Sequence, residues 1–545
     1  MLTLPLEPTD DRANPFFKDA ESCAQWLKQL QLTDLQLAHS LLLTQINEFT
    51  RFAMRGLERL HILELLRNTV HYVQNDYAKK LIAKPLPLNE SELVIFFAIV
   101  QLWQAMALGY QRCLQACMAG DKQLGKQGAF LCQRCLLYSG LVISEHLRTG
   151  YEFDPRLWHQ LHALYAFAEE QGLQLKEIPD GLNNAPSSGG LPRSSCHHIY
   201  VKTLLTCYAR PAELTRSQLL LLDAWLTEWS NTVPMERSYT TSKGDAQPLA
   251  LDLASTLGLQ PVKLAAHSDS MRYFAMVPLS KLLRVKTILL QQGKTPQQVA
   301  LGGHGSAQEC IELLTFLHQC WCEDNITRFG VRNPGSQHAR LCYKPENIYA
   351  HLSGKVFKQA VQSAAVNSMA QKQIEAFGRV LQNAPSKTRS DTRFPLETWQ
   401  LENESILGAK LTRVDTLGGR LSHNQLLALR LGDAETFMLG TTTWVSVTRT
   451  GQLRIGVRYL PGTVHAIGLR TADASMAAAD KSASGFLLQA VPALKTPPSL
   501  IIPRNWFQAG RVVEILHQNA EKQKAAIGFS VERGIDYERV SFTLV

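Results

Sequence analysis

Residues 398–411 read TWQLENESILGAKL. Two short alternating apolar runs flank Asn403, Ser405 and Gly408, which is the pattern of a tight turn between two antiparallel strands. The same alternation continues downstream in QLLALRL, TFMLGTTTWVSVTR and QLRIGVRYL, and again in GFLLQA, SLIIP, RVVEIL, AIGFSV and ERVSFTLV. Many short strands separated by Gly or Asn turns predict antiparallel barrels. Upstream, LCYKPENIYAHL reads as a further strand and AVNSMAQKQIEAFGRVLQ as a helix.

Before about Arg340 the periodicity is helical. The run TDLQLAHSLLLTQINEFTRFAMRGLERLHILELLRNTVHYVQ carries apolar residues at three- and four-residue spacing, with Thr33 as its N-cap. Asn89 and Glu92 have capping-box spacing. GAFLCQRCLLYSGLVISEHLR and PRLWHQLHALYAFAEEQGL form a helical hairpin, with Pro155 at the start of the second helix. DGLNNAPSSGGLPRSS, residues 180–195, has loop composition. The middle region mixes amphipathic helices with the extended pieces QPLALDLA and RYFAMV. The expected class is multi-domain α+β: helical N-terminal and middle regions, then antiparallel β-barrel modules. The expected divisions are a helical domain over 1–185, a mainly helical domain over 186–325, a barrel with a helical insertion over 326–470, and a second barrel or barrel extension over 471–545.

Bulk properties narrow the function classes. The 545 residues are 45% hydrophobic and 19% charged, so the chain can build cores and is not disordered. A net charge of +9 permits an anionic ligand. No basic run longer than a few residues and no interleaved aromatics point to nucleic acid. LVIFFAIVQLWQAMAL, residues 93–108, is broken by Gln101 and Gln104 and short of a membrane span, so it reads as a buried helix. The N-terminus lacks a signal-peptide pattern, and 11 scattered cysteines fit a reducing compartment. Both predict a cytoplasmic protein.

The residues around the opening hairpin carry the chemistry. Arg389 and Arg393 lie four apart just upstream of Asn403, Ser405 and Gly408. Arginine offers a planar fork that grips phosphate, pairs with the O6/N7 edge of guanine, or stacks on a purine. Asn and Ser add short hydrogen-bonding groups, and glycine lets a flat base approach the backbone. This set suits a small, doubly charged ligand with guanine faces.

RSDTR followed by NESILG resembles the two signature elements of PilZ domains, the barrel receptors of cyclic di-GMP. The family pattern is Arg-x-x-x-Arg before the barrel and Asp/Asn-x-Ser-x-x-Gly between consecutive strands. Trp444 and Gly456 stand where PilZ domains often carry such residues. The resemblance implies that Arg389 and Arg393 wrap the phosphates and one guanine while Asn403, Ser405 and Gly408 line the other. In the family a whole strand separates the two elements, whereas here nine residues separate Arg393 from Asn403. A second pair, Arg328 and Arg332 in RFGVR, precedes ARLCYKPENIYAHL, which then becomes the missing first strand. Proximity in sequence ranks the Arg389 pair first, and topology favours the Arg328 pair.

Other motifs read as structure. Cys132 and Cys135, with Cys113 and Cys117, sit in apolar helical text and read as core rather than a zinc site. His197 and His198 read as a surface or interface pair. LGGHGS, residues 301–306, lacks the Lys-Ser/Thr tail of a phosphate loop and reads as a helix–helix connection. Trp158, Trp225, Trp229 and Trp321 read as core. With no cofactor, no metal site and no acid–base pair at usable spacing, the chain reads as a non-enzyme. The resemblance implies a cyclic di-GMP receptor whose helical region signals to a protein partner in motility, pilus or exopolysaccharide control. The competing reading is a degenerate PilZ-like interaction scaffold that binds no nucleotide.

Overall fold

A computed structural model describes the chain except residues 1, 5, 7, 180–192, 243, 324–332, 335–336, 358–393, 416–417, 433, 472–481 and 520. The chain divides into two compact units, residues 1–84 with 88–328 and residues 85–87 with 329–545.

The first unit is helical: α1 (Ala20–Gln29), α2 (Leu35–Arg51), α3 (Gly56–Ala78), α4 (Glu90–Met118), α5 (Gly128–Thr149), α6 (Arg156–Glu170), α7 (Cys196–Tyr208), α8 (Arg216–Trp229), α9 (Val277–Gln291) and α10 (Ala307–Cys322). Short strands β1 (Ile178–Pro179) and β2 (Arg193–Ser194) pair, and β3 (Met235–Glu236), β4 (Leu249–Asp252), β5 (Gln260–Pro261) and β6 (Met271–Phe274) form a small sheet. QPLALDLA and RYFAMV therefore supply β4 and β6. The Asn89–Glu92 capping box forms. Asp34, not Thr33, caps α2 by accepting from the Gln36 and Leu37 amides.

The long helical run starting at Thr33 is two helices. Phe52 is extended, and Arg59 turns its guanidinium back onto the carbonyls of Phe49 (2.9 Å) and Phe52 (2.6 Å). The Phe49 carbonyl also accepts from the Phe52 amide at 3.3 Å, and the arginine adds a second donor there and caps the Phe52 carbonyl beyond the helix end.

Helix α4 is long and apolar enough to cross a membrane, yet 56% of its most apolar window is buried inside this unit. Phe96, Ile99, Trp103, Met106 and Tyr110 face the core. The four tryptophans are buried as expected. Cys113, Cys132 and Cys135 are buried, and burial pushes the first two thiols up to about 12 and the third well above its usual value. They are small apolar packing groups at neutral pH. His197 and His198, expected as a surface or interface pair, are both buried on α7, which overturns the surface placement. His197 bridges the Tyr165 hydroxyl (3.3 Å) and the Val233 carbonyl (3.0 Å), giving its ring polar partners without solvent.

The second unit holds two closed six-stranded antiparallel barrels. β7 (Asn333–Pro334) and β8 (His338–Tyr343) precede α11 (Pro345–Ser353). LCYKPENIYAHL is thus only partly strand: Lys344 takes φ +71° and Pro345 opens the helix. The stretch read as a helix over 365–382 lies outside the described residues. The barrel continues with β9 (Glu397–Ser405), β10 (Gly408–Arg413), β11 (Leu426–Leu431), β12 (Met438–Val447) and β13 (Leu453–Tyr459). Pairing runs β8-β9-β10-β13-β12-β11 and returns to β8, with β7 added along β9. The second barrel is β14 (Val464–Thr471), β15 (Ser482–Leu488), β16 (Ser499–Ile502), β17 (Val512–Leu516), β18 (Lys522–Arg533) and β19 (Glu538–Leu544), closed by β14–β17 pairing.

One apolar cluster joins the two barrels. It contains Cys342, Leu426, Ala428 and Leu439 from the first, Ala466, Phe486, Leu488 and Ile501 from the second, and Ile348 of α11 between them. The Asp536 carboxylate accepts from the Leu426 amide (3.0 Å) and the Ile535 amide donates to the Asn424 carbonyl (2.9 Å) across the same seam.

The helical unit buries histidines at His39, His162 and His197 and half-buries His146, and in each case desolvation lowers the pKa. For His162 it falls from 6.5 to about 4. The unfolded chain takes up protons near 6.5 and the folded one does not, so stability is full above 6.5 and falls as pH drops towards 4. His162 alone accounts for about 3 kcal/mol of that loss. Thermal melting across pH 7.5 to 4 is expected to show it, and a flat profile would contradict the buried neutral state.

Candidate functional site

The alternation of β9 places Trp399 and Leu401 inside the first barrel. Simple alternation would send Asn403 and Ser405 inside as well. It does not, because the β9–β10 register slips: Leu401 pairs with Leu411, but Asn403 pairs with Lys410, leaving Glu402 as an extra residue. This bulge reverses the facing of everything beyond it. Ser405 then pairs with Gly408 on the outer surface, and Glu404 turns towards Tyr459, whose hydroxyl it accepts at 3.0 Å.

Glu402 holds the bulge through three outward groups. It pairs with Lys410 (2.6 Å) and Arg454 (3.2 Å) and accepts from the Thr412 hydroxyl. These contacts keep its carboxyl below the usual range, against the opposing effect of partial burial.

The outer face is a grid of cross-strand rows. Ser405, Gly408, Arg458 and Thr441 form one; Asn403, Lys410, Gly456 and Trp444 form the next; Gln400, Thr412, Arg454 and Ser446 form the third. Both glycines are required by contact. A Cβ on Gly408 would overlap the Val457 carbonyl oxygen, and one on Gly456 would overlap ring atoms of the Trp444 indole. The Ser405 hydroxyl donates to the Gly408 carbonyl at 3.2 Å, closing the corner. Ile406, at the hairpin tip, is 86% exposed. A half-buried indole, an amide–hydroxyl corner and three cations therefore share one surface.

Of the predicted residues, Asn403, Ser405 and Gly408 converge at this corner. Arg328, Arg332, Arg389 and Arg393 lie outside the described residues. Lys410, Arg454 and Arg458 were missed by the sequence reading. Their signal was the even-numbered phase of β10 and β13, opposite the buried Leu411, Ile455 and Val457.

A cavity of about 1130 Å³ opens at the other end of β9, lined by residues including Arg340, Lys344, Phe394, Glu397 and Arg430. The Glu397 carboxylate there is already satisfied. Glu397 accepts from Tyr343 Oη (2.6 Å), Trp399 Nε1 (3.1 Å) and the Gly419 amide (3.0 Å), and pairs with Arg413 at 3.1 Å. Arg413 stacks on Trp399 at 5.0 Å, so this is a buried structural ion pair. Among the described residues no group of three or more His, Cys, Asp or Glu side chains is arranged to hold a metal.

Deleting Glu402 would leave Leu401 opposite Leu411 and Asn403 opposite Lys410 in an unbroken ladder, so Asn403 and Ser405 would keep their outward facing while Lys410 and Arg454 lose their shared carboxylate. The deletion variant is expected to fold, with a stability cost of about 1–2 kcal/mol from the lost Glu402 contacts. Glu402→Gln, which keeps the residue count, is expected to fold with a loss of about 1 kcal/mol, read by chemical denaturation.

Residues 21–239 match a family model described as the N-terminal domain of the cyclic-di-GMP receptor FimW, and residues 467–545 match the FimW C-terminal beta-barrel domain. The second match covers the second barrel from within β14. The chain is also 21% identical over 574 aligned residues to the cyclic-di-GMP receptor FimW of Pseudomonas aeruginosa, an alignment covering 95% of this chain and 90% of that protein. These descriptions are of a receptor and not of a catalyst. Both terminal domains thus resemble those of the FimW receptor, and the alignment with that receptor runs through the barrel between them.

Proposed function

We propose that this protein is a cytoplasmic receptor for cyclic di-GMP, and that the ligand lies on the outer face of the first barrel against Arg328, Arg332, Asn403, Ser405 and Gly408. The observation that carries this reading is the outward corner itself, surrounded by Lys410, Arg454 and Arg458 and flanked by the Trp444 ring. Two phosphates meet cations, and a guanine meets an amide, a hydroxyl and a side-chain-free backbone position.

Connectivity favours Arg328 and Arg332 over Arg389 and Arg393. Arg332 precedes Asn333 by one peptide bond, and β7 pairs Asn333 with Glu404 and Pro334 with Asn403. Arg393 instead precedes Phe394, which lines the cavity at the far end of β9. Six residues of strand, roughly 20 Å, separate Glu397 from Asn403. An extended arginine side chain does not span that distance. β8 is then the strand that the family pattern expects between the two elements, and the 358–393 segment is an insertion after it.

In this reading the ligand reports through the helical unit to a protein partner in motility, pilus or exopolysaccharide control. The family match over residues 21–239 supports a role for that unit in the receptor. Isothermal titration of cyclic di-GMP tests the site. Wild type is expected to bind, Arg332→Ala and Ser405→Ala to bind at least tenfold more weakly, and Arg389→Ala to match wild type. Absence of heat with wild type, together with a protein that co-purifies, would favour the scaffold reading. Loss confined to Arg389→Ala would reverse the choice of arginines.

A further inference from the structure

Arg458 differs from the other two cations on the receptor face. Lys410 and Arg454 are both committed to Glu402, on the same hairpin sheet. Arg458 stands directly across from Gly408 in the ladder, yet its guanidinium is held by the second barrel. Its Nη2 donates to Glu532 of β18 at 2.5 Å and touches the Thr441 hydroxyl at 3.3 Å. Glu532 also accepts from the hydroxyl of Tyr537, whose ring is buried in the cluster shared by the two barrels.

We propose that Arg458 is a further ligand-binding arginine of this site, and that it engages a ligand phosphate by giving up Glu532. The inference rests on the receptor reading above. Ladder partners lie about 5 Å apart at Cα, so the Arg458 side chain reaches over the Ser405–Gly408 corner without any backbone movement. The Arg458 side chain is 45% exposed and that of Glu532 22%, so their ion pair is partly solvated and adds little to stability. A phosphate offers the guanidinium a bidentate, charge-assisted contact that a single carboxylate oxygen does not.

The exchange has a consequence in the second barrel. Freed of Arg458, Glu532 keeps only its Tyr537 contact among those described for its carboxylate here. It sits beside two register shifts in β18, between Ile527 and Ser530 and between Ser530 and Glu532. Phe529 and Val531 next to it are 66% and 47% exposed. This bulged segment has few ladder bonds to lose, so it is the part of the second barrel whose protection changes most when Arg458 leaves.

The test is titration of cyclic di-GMP into wild type, Arg458→Ala, Arg458→Lys and Glu532→Gln, with hydrogen exchange followed over residues 527–537 at saturating ligand. Arg458→Ala is expected to bind at least tenfold more weakly, and Arg458→Lys to fall between it and wild type. Glu532→Gln retains the Tyr537 contact, removes the competing charge, and is expected to bind about threefold more tightly. Ligand is expected to alter exchange over 527–537 in wild type and not in Arg458→Ala. Equal affinity of wild type and Arg458→Ala would overturn the role of Arg458 and leave the receptor reading standing. Weaker binding by Glu532→Gln would overturn the exchange. No binding by wild type would overturn both readings, and a melting temperature for Arg458→Lys equal to wild type separates a binding defect from misfolding.

Discussion

The outward corner depends on one extra residue. Glu402 sits unmatched in the β9–β10 ladder, and because side chains alternate with a period of two, a single unmatched residue reverses every side chain beyond it. Leu401 remains in the core while Asn403 and Ser405 go to the surface. The charge of Glu402 is not idle there. By collecting Lys410, Arg454 and the Thr412 hydroxyl, it fixes the bulge and orders two of the cations that surround the corner.

The second constraint is closure. Neither barrel leaves a long unpaired edge, so each gains its backbone hydrogen bonds internally and the two meet through side chains. α11 is the piece that makes this possible. It leaves the end of β8 at a left-handed Lys344, turns at Pro345, and inserts Ile348 where the two barrels share a cluster. That shared cluster brings β18 beside β13, and only then does Glu532 find Arg458. A charge on the outer face of the first barrel and a carboxylate of the C-terminal barrel thereby become neighbours, although 74 residues separate them in sequence.

Much of this was legible beforehand. Alternation identified β9 to β13 and β15 to β19 with small boundary errors, because a half-buried strand needs that pattern wherever it lies. β14 was passed over: VHAIGLRT has a weak polar phase, since Gly468 and Ala466 leave little contrast between its faces. The break between α2 and α3 was hidden because its stabiliser, Arg59, lies seven residues after Phe52 and looks like an ordinary surface arginine in sequence. His197 and His198 were misjudged for a related reason: a polar ring is tolerated in a core when Tyr165 and the Val233 carbonyl receive it, and neither is near in sequence.

For the site, residue types and order along the chain were readable, and they carried the resemblance to PilZ domains without any coordinates. Local chemistry sufficed for that: an Asn, a Ser and a Gly at set spacing make a polar corner wherever a hairpin forms, and arginines nearby imply an anion. Facing and company were decided by the tertiary structure. Strict alternation in TWQLENES points Asn403 and Ser405 inward with Trp399 and Leu401, and only the register against β10 turns them out. Lys410, Arg454 and Arg458 join them through pairing between β10 and β13, a relation fixed by hydrogen bonds between strands more than 40 residues apart and carried by no local pattern.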